Sequence, residues 1–260
     1  MPNPLVSYQK IRFANILKLI GKLTLAIDAE TLHDLRVELK RTRFLKTIIA
    51  QYEKKQLVKR AYEPFKKLFK KLGKVRGQQV NLYRLGTTLP DDAESKARQH
   101  FQSKHQKLEK KLKKSLKKCE ADLQAGITAM NTMIKQLPDW DETEFLKALK
   151  RQVAKHFNKK TSEKPLHRGR HVLKAVIYSS ELSKRMASKV GSWFNLETVI
   201  NLEDAIGDWH DLSLLLRGKS GHLLTRKAKK QIIKKKKAEL KRIRLLIPDL
   251  ILSNPTTPDV

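Results

Sequence analysis

Apolar residues return every three or four positions along almost the whole chain, and no stretch of any length alternates apolar with polar at period two. That spacing marks helices that bury one face. The β-branched runs that would argue for strands are missing. Ten Gly and nine Pro are all the punctuation in 260 residues. Taking breakers and caps as boundaries predicts helices over 5–27, 31–53, 56–72, 75–87, 93–124 and 126–137. After Pro138-Asp139-Trp140-Asp141 the pattern resumes over 141–158, 162–189, 192–207, 209–218 and 220–247, followed by a tail with Pro255 and Pro258. The expected fold class is all-α, with 1–137 and 138–260 as its two parts. Four or five helices per part, joined by short links, suit a four-helix bundle in each.

The two parts share a register. His33, Arg36, Lys40 and Phe44 return 134 residues later as His167, Arg170, Lys174 and Tyr178 with no gap. Leu72-Gly73-Lys74-Val75-Arg76 returns as Ile206-Gly207-Asp208-Trp209-His210, and Glu63 as Glu197. A fixed offset over this length reads as an internal duplication, hence two pseudo-symmetric bundles. His-x-x-Arg-x-x-x-Lys places its polar groups at i, i+3 and i+7, on one helical face. With 100° per residue, His33, Arg36, Lys40 and Arg43 fall within a sector of about 80°, while Leu32, Leu35, Leu39, Leu45 and Ile49 cover the opposite side. Val37, Phe44 and Ile48 adjoin the basic stripe, so it reads as a groove wall rather than an open solvated face. In the second copy Ile177 stands at the register of Arg43 and His210 at that of Arg76, which makes the second stripe the weaker one.

Charge narrows what such stripes are for. The chain has 57 Lys+Arg against 26 Asp+Glu, a net charge of +31 and a pI near 10.2. A chain this basic repels itself unless it meets a polyanion, which leaves nucleic acid, anionic lipid and phosphate polymers as partner classes. The last long helix of each part adds a second basic face. Lys96, His100, Lys104, Lys107, Lys111 and Lys114 follow one another at steps of three or four, as do Arg226, Lys230, Lys234, Lys237 and Lys241. The 134 offset pairs Lys96 with Lys230, His100 with Lys234 and Lys107 with Lys241. Alone, a lysine-rich face is usually a solvated surface. Few Glu stand by to form i,i+4 pairs, so these faces repel along their own helices, and the shared register favours a bound polyanion. The single Cys119 excludes an internal disulfide framework and a cysteine zinc site. The apolar runs, Leu214 to Leu216 and Leu245 to Ile247, are too short for a membrane span, and with no signal peptide the expected location is the cytoplasm.

His33-Asp34-Leu35-Arg36-Val37, with the basic Lys40-Arg41-Thr42-Arg43 behind it, resembles the first signature of CHAD domains, the conserved histidine α-helical domain. Leu72-Gly73-x-x-Arg76 is similar to that family's Leu-Gly-x-x-Arg-Asp phrase. The second half agrees, with His167-x-x-Arg170-x-x-x-Lys174-x-x-x-Tyr178 and Leu202-Glu203-Asp204-Ala205-Ile206-Gly207-Asp208-Trp209-His210-Asp211. The resemblance spans about residues 5–247. It implies two pseudo-symmetric bundles around a basic central groove that binds inorganic polyphosphate without catalysis, with association with polyphosphate granules as a corresponding cellular role. Two departures stand out: Gly77 replaces the family's usual Asp after Arg76, leaving Arg76 without that orienting partner, and Ile177 replaces a usual Arg.

The chemistry of the residues points the same way. Arg36, Arg43 and Arg170 offer planar forks for phosphate oxygens, and the lysines act as adaptable point charges. His33 and His167 stand where a helix N-terminus already favours an anion. The alternative is nonspecific binding of RNA or single-stranded DNA, but aromatic platforms for bases are scarce at 6% aromatic residues. A metal site is not expected, because the close histidine pairs His100/His105 and His167/His171 have no Cys nearby and carboxylates are sparse. No cofactor or catalytic residue is assigned. Glu142-Thr143-Glu144 lacks the Lys that a tunnel-type triphosphate hydrolase needs two positions on, and no glycine-rich phosphate loop occurs. Asp34, Glu63, Glu197, Asp204 and Asp211 are read as carboxylates that orient basic residues and cap helices.

Overall fold

A computed structural model of the chain describes residues 4–89, 95–138, 140–157, 163–217 and 221–251. Asp139, Pro255, Pro258 and the ends of several expected helices lie outside these residues. Among the described residues the fold is helical throughout, with an isolated antiparallel bridge between Phe194 and Ile251. The helices are α1 (Pro4–Leu25), α2 (Ala29–Ile49), α3 (Lys55–Thr88), α4 (Ser95–Leu116), α5 (Glu120–Lys135), α6 (Glu142–His156), α7 (Glu163–Ser180), α8 (Lys184–Trp193), α9 (Leu196–Leu216) and α10 (Arg226–Leu246), followed by a 3-10 turn at Ile247–Asp249. The starts are chemically specified. Asp28, Asp141, Ser183, Asn195 and Thr225 each accept from backbone amides of the first turn that follows, satisfying donors that have no partner inside the helix.

Two expected breaks are absent. Residues 56–72 and 75–87 belong to the single helix α3, and 192–207 and 209–218 to α9. Gly73 and Gly207 thus lie in helix interiors. Two expected long helices are in turn divided. The helix expected over 93–124 stops at Leu116, where Cys119 turns back so that both its amide and its Sγ approach the Leu116 carbonyl oxygen. The helix expected over 162–189 divides at Ser183, whose hydroxyl accepts from the Met186 amide and starts α8.

The chain forms two compact units, Met1–Tyr83 with Arg98–Trp140, and Arg84–Ala97 with Asp141–Val260. In the first, the apolar side of α2 is sealed, with Leu32, Leu35, Leu39, Leu45 and Ile49 all at 0% exposure. Phe13 of α1 stacks on Phe65 of α3 at 5.7 Å, and Tyr62 stacks on Phe65 in turn. Gly126 lets α5 close on α3, since a Cβ there would stand 2.8 Å from the Ala61 carbonyl oxygen. Burial at about 25 cal/mol per Å² of apolar surface makes such seams the main stabilising term. The seam needs charge control as well: Glu38, buried on α2, accepts from Arg12 at 3.2 Å and Arg41 at 3.0 Å. In the second unit α9 lies against α7 and α10, burying Val199, Leu202, Ile206, Trp209 and Leu215. Glu142 at the start of α6 is buried there too and holds Arg185 at 2.8 Å and Lys189 at 2.9 Å of α8.

Candidate anion-binding site

In the first unit the stripe is carried by α2 and closed from α3. Arg36 Nη1 donates to the Phe69 carbonyl oxygen at 3.2 Å, and its guanidinium lies 4.3 Å from the centre of the Phe69 ring. One turn further along α3, Gly73 leaves the space the guanidinium fills, since a Cβ there would stand 2.8 Å from Nη1. His33 and Arg43 are exposed, while Arg36, Lys40 and Arg76 are partly buried. Although His33 keeps contact with solvent, its imidazole is held below its ordinary proton affinity, first by partial desolvation and then by Arg76 and Lys40, with Arg36 adding to the effect and Asp34 opposing it. That pattern places Arg36 and Lys40 of the α2 stripe, with Arg76 of α3, in electrostatic reach of His33. Gly77 does not leave Arg76 without a partner, because Arg76 Nη1 donates to Gln79 Oε1 at 3.3 Å. Arg43 reaches Tyr62, whose hydroxyl burial pushes up to about 12 while Arg43 pulls the other way.

The second unit repeats the framework with different chemistry. Arg170 packs on Gly207, where a Cβ would stand 2.6 Å from Nη2. The position equivalent to Phe69 is Glu203. Its Oε1 accepts from Arg170 Nε at 2.5 Å and Lys174 Nζ at 2.6 Å, and the Glu203 side chain is only 9% exposed. Burial works to raise the Glu203 pKa, but the two cations outweigh it and hold the carboxyl below its ordinary range. His167 stacks on His210 at 4.9 Å, and His171 meets His167 edge-on at 5.1 Å. Asp211 lies 3.7 Å from His210, and Arg84 pairs with Asp208 and lies 3.8 Å from Asp211.

The lysine faces are on the helices expected, and all eleven of their assigned residues are exposed: Lys96, His100, Lys104, Lys107, Lys111 and Lys114 on α4, Arg226, Lys230, Lys234, Lys237 and Lys241 on α10. Two cations beside the α10 face escaped the sequence reading. Lys236 sits 5.2 Å from the Trp209 ring, and Lys235 donates to the Thr87 carbonyl oxygen at 2.6 Å. Phe69, Glu203 and Arg84 also escaped it, although the 134 register sets Phe69 against Glu203 for inspection. Of the carboxylates expected to orient cations, Asp211 lies beside His210 and Glu63 holds Lys66 at 3.1 Å, while the buried ones, Glu38, Glu142 and Glu203, were not in that set. Among the described residues, no group of three or more His, Cys, Asp or Glu is placed to hold a metal ion, and no helix is long and apolar enough to cross a membrane.

A strongly basic all-helical protein, with the same arginine-on-glycine contact in each unit, is thus defined by fold and geometry. The model of the CHAD domain family matches residues 13–217, and the chain belongs to that family. The chain is also similar to the crystal structure of the CHAD domain from the plant Ricinus communis, with a TM-score of 0.67 at 16% identity over 96% of this chain and 93% of that one. No curated protein matches it.

Proposed function

We propose that this protein binds inorganic polyphosphate through its basic helical faces and performs no catalysis on it. The observation that carries the reading is the excess of 57 Lys+Arg over 26 Asp+Glu, displayed as exposed basic faces on α4 and α10. Cations gathered along one face raise each other's energy, and a chain of phosphates relieves that repulsion along its length. The basic stripe of α2 adds charge of the kind a flexible polymer of phosphates neutralises in the first unit, as that of α7 does in the second. Family membership supports the ligand, and the scarcity of aromatics argues against bases as the recognised element. Cytoplasmic residence and association with polyphosphate granules are the matching cellular role.

A competition titration at physiological salt tests this, with long-chain polyphosphate against single-stranded DNA and RNA at equal phosphate concentration. Polyphosphate should displace both, with affinity falling by orders of magnitude between low and moderate salt as condensed counterions cease to be released. Failure to displace either nucleic acid would transfer the reading to nonspecific nucleic-acid binding. Incubation with polyphosphate, magnesium and manganese should leave chain length unchanged and release no orthophosphate.

A further inference from the structure

Glu203 and Phe69 occupy the same register 134 residues apart, each facing the arginine of its own unit. Their chemistry is opposite. Phe69 holds Arg36 through a carbonyl oxygen and a ring face, neither of which adds a formal charge. Glu203 holds Arg170 and Lys174 through one carboxylate oxygen, at 2.5 and 2.6 Å, in a largely buried setting from which the two cations still reach solvent. Sheltered from water, that carboxylate is weakly screened, so it cancels one of the two permanent charges it touches. The remaining registers lean the same way, with Ile177 for Arg43 and His210 for Arg76. The first stripe therefore carries four permanent cations without a carboxylate at position 69, whereas the second carries two that share Glu203.

We propose that Glu203 is an internal anion of the second stripe: it occupies the donors of Arg170 and Lys174 that a phosphate group would otherwise take, and so sets the order in which the two stripes engage a polyanion. The inference rests on the polyanion reading above. The first stripe engages at low ligand concentration. The second joins only when a phosphate competes successfully for cations already bound to Glu203, which makes Glu203 an affinity-setting residue rather than a ligand contact.

The test uses the full-length protein and polyphosphate of one medium length, at neutral pH and a series of salt concentrations. Glu203→Gln keeps the shape, removes the charge and frees both cations. It should tighten binding by about three- to tenfold at low salt, and the slope of log K against log salt should steepen by roughly one. In the wild type Arg170→Ala should cost little, and in the Glu203→Gln background much more. If Glu203→Gln is folded and binds equally or more weakly, the carboxylate positions the cations for the ligand and the proposal is wrong. Should that variant not fold, Phe69→Glu decides, since installing the carboxylate on the first stripe should weaken binding several-fold and an unchanged affinity overturns the idea. Wild-type protein that fails to bind polyphosphate at all overturns the parent reading, a result separable from every variant comparison.

Discussion

The guanidinium of Arg36 fills the space above the Cα of Gly73, so that a Cβ at that position would stand 2.8 Å from Nη1. Gly207 serves Arg170 in the same way, at 2.6 Å from Nη2 and 3.0 Å from Cζ. Neither glycine ends a helix. Each sits mid-helix, where glycine is disfavoured by about 0.5–1 kcal/mol relative to alanine, and what it supplies is room for a cation.

Substituting Gly73→Ala should therefore separate stability from binding. The obstructing atom is the far end of a flexible side chain, so the guanidinium moves aside while the helix gains propensity. Thermal unfolding should show an unchanged or raised Tm, and polyphosphate titration a loss of roughly threefold or more as the fork leaves its place. Gly207→Ala should lower Tm, because Arg170 is tied to Glu203 and cannot yield as freely. Gly126→Ala is the control: its Cβ would meet the Ala61 carbonyl oxygen at 2.8 Å, a backbone atom, and a cost of about 1–3 kcal/mol in denaturant unfolding is expected.

The two stripe arginines should not be equivalent. Arg36→Ala should cost more polyphosphate affinity near neutral pH than Arg170→Ala, since Glu203 already engages Arg170. Titrations of both variants at neutral pH and one ionic strength measure this. An Arg170→Ala loss equal to that of Arg36→Ala at neutral pH would show that the halves contribute alike.

His33 gives the first stripe its own pH dependence. Its pKa in the free protein lies below the ordinary 6.5 because of burial and of Arg76 and Lys40. A bound polyanion reverses the sign of the local field and favours the imidazolium, so binding takes up a proton. Affinity should rise as pH falls through 6.5 and level off below the free-state pKa. Calorimetry in buffers of different ionisation enthalpy should detect the proton uptake, and His33→Gln should remove most of it.

Acid stability should have two windows. Without ligand, the depressed His33 contributes stability above 6.5 that is lost as pH falls through its lowered folded value. Glu142 and Glu203 have folded pKa values below the ordinary 4.5, Glu142 through Arg185 and Lys189 working against burial. Their contribution is fully present above 4.5 and disappears as pH falls below it through the folded values. Urea midpoints from neutral pH down to about pH 3 should fall in both windows, and Glu142→Gln should flatten the lower one. A single drop confined to the histidine range would contradict the assignment of the carboxylates.

The all-helical class, the burial of Leu32, Leu35, Leu39, Leu45 and Ile49 and the exposure of the α4 and α10 lysines follow from sequence alone, because periodicity at 3.6 residues decides which side of a helix meets water. Family membership was legible too, since the signature residues occur in order. What local pattern misread was glycine. Gly73 and Gly207 looked like helix ends, because nothing nearby in sequence reveals that a side chain from another helix fills the space each one leaves. Tertiary structure also decided which carboxylates matter. Glu38 and Glu203 read locally as ordinary helical glutamates, and only burial between helices makes their charges costly without a partner and hence strong when arginine and lysine arrive. Burial is a property of packed helices, not of any one segment, so although the residue order already ranked the second stripe below the first, the buried carboxylate that holds Arg170 and Lys174 lay beyond what it could show.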